Sequence, residues 1–421
     1  MHCTWVSTGE VSSISCACST TSDRWCASVP CPTARRLRQL VDWLRELTAG
    51  DLRRVAVAIE TPRGAVVEAL VDAGAHVYHL NPKQLDRFRD RHSVAGAKDD
   101  RRDAFVLACS LRTDLPCFRR IDPEDPLIVE LREASRLDSR LLAQHTALAN
   151  QLGAQLHRYW PQLLELAPGA DEPWLWDLLA RAAHPYSARR LTRAKLAKLL
   201  REHRIRRFDA EQLVAVLRQP PLPVAAGTLE AATMNIELLV PQLQLICRQR
   251  RQTAARLKRL LAQLSAAATA DPEQPPQHRD AEILLSMPGV GKLVAATVLG
   301  EAAGPIARRD YQLLRALTGI APVTRASGKS RHVAMRRACN QRLRNAVYHW
   351  ALNSLQNDDA SHLRYQALRH RGKTHGHALR MLADGHLRTL TAMLRDGTLH
   401  RSRNLVAPPS PNATQDEHVA A

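Results

Sequence analysis

Four side chains in this sequence combine reactive chemistry with suggestive spacing: the carboxylates of Glu60, Asp100 and Asp103, and the hydroxyl of Ser327. Glu60 ends the apolar run Val55-Ala56-Val57-Ala58-Ile59. A strand there would project it from the carboxyl edge of a sheet, where α/β folds hold their ligands. Asp100 and Asp103 lie one helical turn apart on a predicted helix and share a face. Like charges so placed repel unless a cation sits between them. Carboxylates converging from a strand end and a helix suit Mg²⁺, and a pair of ions about 4 Å apart can clamp a phosphodiester. Spacing alone also allows a plainer arrangement. Glu60 would cap the helix that follows Pro62, while Asp100 and Asp103 would pair with Lys98, Arg101 or Arg102 on a surface helix.

A second group of residues suits phosphate binding. Leu284-Leu285-Ser286-Met287-Pro288-Gly289-Val290-Gly291-Lys292 places a Pro-Gly-x-Gly turn between two short predicted helices, the pattern of a helix-hairpin-helix. Glycines such as Gly289 and Gly291 let backbone amides approach a phosphate at the second helix's N-terminus, beside Lys292. The alternative is a glycine-rich helix connection that binds nothing. Downstream, Ser327 stands among Arg325, Lys329 and Arg331 in a predicted loop between helices. A serine hydroxyl is a poor nucleophile until a base or metal activates it, so spacing alone favours a phosphate-contacting or turn role.

These residues need elements to hold them. Residues 34–124 read as an α/β domain: an amphipathic helix on Leu37, Leu40, Val41, Leu44 and Leu47, then strand, helix, strand, helix, with parallel strands expected. A further helix is predicted from Asp100 to Leu111, and a linker from Asp114 to Pro126. Residues 125–267 read as a helical region, either a coiled coil or a plain helical bundle. Leu127, Leu131, Leu137, Leu141, Leu148 and Leu152 mark one long helix, and residues 229–264 a matching one interrupted or bent near Pro241. The Pro-rich stretch 268–277 is the expected domain boundary, and residues 278–400 form a last domain that is all helical by its spacing. The tail, 401–421, is expected to be disordered, as are residues 1–33, which are rich in Ser, Thr, Cys and Trp and lack a strand pattern.

Composition narrows the partners. Sixty Lys and Arg oppose 41 Asp and Glu, a formal charge of +19 spread along the whole chain, so a polyanion is the expected ligand. No apolar run is long enough for a membrane span and no signal-peptide layout opens the chain, so a cytoplasmic location is expected. Five of the nine cysteines fall within the first 31 residues, but no histidine follows at ligand spacing, and neither a zinc site nor a disulfide framework is expected.

Taken together, Ile59-Glu60-Thr61-Pro62-Arg63-Gly64, Lys98-Asp99-Asp100-Arg101-Arg102-Asp103-Ala104, Met287-Pro288-Gly289-Val290-Gly291, Gly319-Ile320-Ala321-Pro322 with Ser327-Gly328, and Tyr365 to Lys373 resemble the insertion-sequence transposases of the IS110 type. The resemblance covers roughly residues 34 to 400. It implies a RuvC-like DEDD domain in which Glu60, Asp100 and Asp103 hold Mg²⁺, and a C-terminal domain in which Ser327 attacks DNA and holds the cut strand. It also implies a structured guide RNA, which suits a chain with many cations but only 4 Phe, 7 Trp and 6 Tyr. A homodimer or homotetramer is expected from the long helices and from the need to hold two DNA partners. One feature departs from the family: its first strand carries the first aspartate, and nothing upstream of Glu60 matches that strand. The texture of residues 1–33 fits translation in another frame that joins the true one near Thr33. A chain lacking that ligand is expected to be weakly active or inactive. A non-catalytic nucleic-acid-binding protein and a plain RuvC-like nuclease remain the alternatives.

Overall fold

The Val55–Ile59 run forms a strand because its Val and Ile side chains are β-branched and both of its faces can be buried. Val55, Val57, Ala58 and Ile59 are all within 1% of complete burial. The computed structural model describes residues 2–7, 13–19, 23–30, 34–92, 100–225, 227–270 and 277–401, divided into two units, Met1–Asp125 and Pro126–Ala421.

The first unit contains β1 (His2–Ser7), β2 (Ser13–Ser19), β3 (Asp23–Pro30), α1 (Ala34–Leu47), β4 (Ala56–Ile59), α2 (Ala65–Asp72), β5 (His76–His79), α3 (Pro82–His92), α4 (Asp100–Thr113) and β6 (Arg119–Ile121). β4 and β5 are parallel and joined through α2, as expected, with Ile59 opposite His79. β6 adds antiparallel to β5 inside the stretch expected to be a linker. A three-residue strand leaves almost no periodic signal, and its pairing partner lies some forty residues away.

The N-terminal residues differ more from expectation. β1, β2 and β3 form an antiparallel meander where no strand was expected. β1 lies beside β4, and α4 packs across β1, β2 and β4. Thr, Val, Ile, Trp and Cys are all compatible with strands. Without alternation, what organises them is packing against β4 and α4, a tertiary effect.

In the second unit α5 (Pro126–Tyr159) and α11 (Thr228–Ala270) are the long helices, and α11 runs unbroken through Pro241. Ile128 and Leu131 pack with Leu257 to Leu264, while Leu152 and Leu156 pack with Ile236 and Leu243. The pair is therefore antiparallel and within one chain. Between them α6 (Gln162–Leu166), α7 (Pro173–Arg181), α8 (Pro185–Ala188), α9 (Arg193–Glu202) and α10 (Ala210–Arg218) enclose a core containing Trp160, Trp174 and Trp176.

A second core joins the ends of α5 and α11 to α12 (Gln277–Ser286), α13 (Lys292–Glu301), α14 (Ala303–Ala307), α15 (Tyr311–Leu317), α16 (Gln341–Asn357), α17 (Asp359–His370) and α18 (His375–Asp396). This core crosses the Pro-rich stretch expected to divide domains, whose residues 271–276 lie outside the described residues. Leu260 and Leu264 pack there with Ala281 and Leu284. The last domain is also not purely helical. β7 (Val323–Ser327) and β8 (Ser330–Ala334) form a hairpin where a loop was expected. Among the described residues no helix is long and apolar enough to cross a membrane.

Candidate carboxylate centre and nucleic-acid interface

Glu60 follows β4 directly and is half-buried at the carboxyl end of the parallel pair. It does not cap the next helix: α2 begins at Ala65, and its N-cap is Gly64, whose φ of 106° only glycine adopts readily. His79 ends β5 beside the Glu60 backbone, its imidazole held below the ordinary value by burial and by the charge of Arg119.

Asp103, on α4, has no exposed surface, so it is not the surface-helix residue that spacing allowed. Its partner is Arg89 on α3, whose Nε donates to Oδ1 at 2.5 Å and Nη2 to Oδ2 at 2.6 Å. Arg89 also pairs with Asp86. Its guanidinium is held more firmly protonated, chiefly by the Asp103 hydrogen bond, with smaller help from the charges of Asp86 and Glu60. Asp100 opens α4, and its side chain lies outside the described residues.

Of Asp103 and Glu60, only Asp103 hydrogen-bonds the Arg89 guanidinium, while Glu60, on another element, acts on it through charge alone. Hard oxygen donors suit a divalent ion, but here a guanidinium neutralises Asp103. Among the described residues no third carboxylate, His or Cys completes the set, and β1 carries no carboxylate in its sequence. The residues present fit Mg²⁺ only if Arg89 gives up Asp103. Nothing in sequence spacing singled out Arg89 or His79, because both are brought in by packing.

In the second unit the Pro-Gly-x-Gly turn does join two helices, α12 and α13, but its glycines serve different ends. Gly289 has φ +79°, and a Cβ there would lie 2.5 Å from the Ser354 backbone N and 2.9 Å from the Trp350 carbonyl. Trp350 Nε1 donates to the Pro288 carbonyl at 3.0 Å. Gly289 is thus a packing residue against α16. Gly291, by contrast, is exposed at the N-cap of α13 with open space around it and no side-chain cap, and Lys292 beside it is exposed. Free helical N–H groups next to a lysine suit an anion.

The far end of α13 is pinned. Glu301 accepts from Arg136 at 2.8 Å and 3.1 Å, from Arg342 at 3.1 Å and from Asn340 at 2.8 Å. Burial pushes its carboxyl up, but these hydrogen bonds and the charges of Arg136 and Arg342 outweigh burial and hold it at about 2. Asn340 also caps α16 through the Leu343 N–H and donates its own N–H to the Leu317 carbonyl, which fixes the base of the hairpin.

The hairpin itself projects from that base, with Thr324 to Val333 exposed. Ser327 is opposite Ser330 at the tip, next to Gly328 at φ +54°. Alternation along the strand puts Arg325 on Ser327's face, and Arg325 pairs across the ladder with His332. Arg331 is opposite Ala326 on the other face, and Lys329 lies in the turn. The cluster expected around Ser327 is therefore split between two faces, and His332 joins it. The flanking Val323, Thr324 and Val333 around a two-residue Gly turn were the hairpin signal.

Comparison with known proteins gives these two regions a common origin. A DEDD transposase family model of IS110 matches residues 14–161, beginning upstream of the change in composition near Thr33. A second model, described as Transposase IS116/IS110/IS902 family, matches residues 281–366. The y4uE protein of Sinorhizobium fredii, named as a transposase, is 49% identical over 176 residues, 41% of this chain and 49% of that one. The Streptomyces coelicolor mini-circle protein named as transposase for IS117 is 33% identical over 352 residues, 82% of each chain. The 43.6 kDa protein of insertion element IS110 from the same organism is 32% identical over 378 residues, 87% of each chain. With Glu60, Asp100 and Asp103 inside the first matched region, the hairpin inside the second, and relatives above 30% identity across more than four fifths of the chain, the chain belongs to the IS116/IS110/IS902 family of transposases.

Proposed function

We propose that this transposase cuts and rejoins DNA with a DEDD-type carboxylate centre and a serine nucleophile, and that its carboxylate centre is incomplete. The observation that carries this reading is buried Asp103, bound through both oxygens by Arg89, whose charge Glu60 at the end of β4 also feels. The meander β1–β2–β3 beside the parallel pair β4–β5, with α4 across them, supports a RuvC-like fold for the first unit. In that arrangement Glu60, Asp100 and Asp103 would hold Mg²⁺, which when bound stabilises negative charge on a phosphodiester.

Ser327 suits the nucleophile because it is exposed at a hairpin tip fixed at its base, with Arg325 on its face to hold a phosphate. Its Oγ would bond to phosphorus as a phosphorus–oxygen bond to the sugar breaks, the released hydroxyl taking a proton. His332, on the same face, supplies the kind of base a serine hydroxyl needs. The turn before α13, with Gly291 and Lys292, grips backbone phosphates as a helix-hairpin-helix does. A structured guide RNA would account for cations spread over both units. The apolar stripe Met234, Leu238 and Leu245, exposed on α11, suits self-association into a dimer or tetramer.

One feature favours a second reading, nucleic-acid binding with little chemistry. β1 reads His-Cys-Thr-Trp-Val-Ser, so the strand beside β4 offers no aspartate. The test is to incubate the full chain with Mg²⁺, DNA carrying the element's ends, and RNA transcribed from its non-coding end. A trace of covalent protein–DNA adduct that disappears in Ser327→Ala is expected. An adduct that persists in Ser327→Ala sinks the serine role. Rapid multiple-turnover cutting sinks the incomplete centre, and binding with no adduct at all leaves the second reading.

A further inference from the structure

At the base of the β7–β8 hairpin, between α15, α16 and α18, lies a cavity of about 100 Å³ that opens to the surface. Its walls are mostly apolar, with Ile320, Met335, Val347 and Leu379 among them. The cavity is smaller than the roughly 150 Å³ one that admits a benzene ring, so it takes the edge of a larger ring and leaves the rest at the surface. Two cations also line it. Arg344 is engaged, donating to the Arg336 carbonyl and to Gln341 Oε1. Arg380 is half-buried and makes no hydrogen bond or ion pair among the described residues. Its guanidinium nitrogens keep contact with water, so an incoming anion would find them uncommitted.

The rim carries the third part of the site. Tyr348 is 38% exposed at the cavity edge, and its hydroxyl lies 3.5 Å from His375 Nε2. The opposite nitrogen, Nδ1, is 2.7 Å from the Tyr365 hydroxyl, so one imidazole braces two tyrosines. In a chain with only 6 Tyr, this places an aromatic ring in the wall of an apolar slot that an uncommitted guanidinium also lines. Aromatic face, apolar slot and cation are the parts that hold an unstacked nucleotide. They lie at the root of the arm that carries Ser327, on the same unit.

We infer that this cavity takes the edge of one unstacked base of the DNA strand on which the hairpin acts, the ring lying against Tyr348 and the apolar walls and the adjoining phosphate on Arg380. The inference rests on the DNA-cutting reading above, since it takes the occupant from the proposed role of the hairpin. Holding a nucleotide out of the stack would fix the register of the strand relative to Ser327, a specificity element separate from the carboxylate centre.

Binding of the full chain to a single-stranded oligodeoxynucleotide carrying 5-iododeoxyuridine tests it. Affinity is measured across a salt series, and photocrosslinks are mapped by mass spectrometry. Crosslinks at Tyr348 or Met335 are expected. Tyr348→Ala and Arg380→Gln, both at positions with surface access, should each weaken binding about tenfold. Arg380→Gln should also reduce the slope of log affinity against log salt by about one. Unchanged thermal unfolding of both variants ties these losses to the site. Wild-type binding that neither variant alters, with crosslinks elsewhere, overturns the nucleotide site and leaves the DNA-cutting reading intact. A wild-type chain that binds no DNA overturns both. Preference for the matching oligoribonucleotide, with the same dependence on Tyr348 and Arg380, overturns the assignment to DNA.

Discussion

Replacing Arg89 by Met separates a structural ion pair from a metal ligand. Asp103 has no exposed surface and both of its oxygens are bound by Arg89, at 2.5 Å and 2.6 Å. Removing one partner of a buried pair costs roughly 3–5 kcal/mol, because the other charge is left uncompensated. Arg89 is itself 16% exposed, so water reaches part of the vacated space and the lower end, about 3 kcal/mol, applies. If Asp103 is a metal ligand, Mg²⁺ at about a hundred times its dissociation constant returns about 2.7 kcal/mol. The assay is thermal unfolding of the full chain with hydrogen exchange resolved on α4, in EDTA and in Mg²⁺. Arg89→Met should be about 3 kcal/mol less stable than wild type in EDTA and close to it in Mg²⁺. The double variant Arg89→Met with Asp103→Asn should lose the response to Mg²⁺. Equal destabilisation of Arg89→Met in EDTA and Mg²⁺ would refute the reasoning and leave Asp103 a purely structural residue.

Three further outcomes follow from the second unit. Gly289→Ala forces a Cβ onto the α16 backbone at positive φ and should cost about 3 kcal/mol in urea unfolding, whereas Gly291→Ala, in open space, should cost under about 1 kcal/mol. Glu301, held at about 2 against an ordinary 4.5, contributes stability that is complete above pH 4.5 and lost as pH falls toward 2. Glu301→Gln should flatten that part of the stability–pH profile and lower stability at pH 7 by roughly 3 kcal/mol. His386 is pushed down to about 4 by burial under Trp350, so stability should also decline as pH falls from 6.5 toward 4, and His386→Gln should remove that limb.

Much of the architecture was written in local pattern. The apolar run before Glu60, the 3.6-residue spacing of the long helices and the Pro-Gly-x-Gly turn each specify an element from contiguous residues, because period and turn chemistry are properties of the chain itself. The motif spacing also placed Glu60 at a strand end and Asp100 and Asp103 on one helix. Tertiary structure decided what those residues meet. Asp103 finds Arg89 fourteen positions away, Gly289 is required by a backbone sixty-five positions downstream, and Glu301 gathers Arg136, Asn340 and Arg342 from α5 and the start of α16. The strands before Thr33 have the same origin, since residues without alternation become a sheet only when β4 and α4 pack beside them. Periodicity records a residue's position on its own element. The partner across the packed interface depends on chain closure over tens to hundreds of residues, which no local window contains.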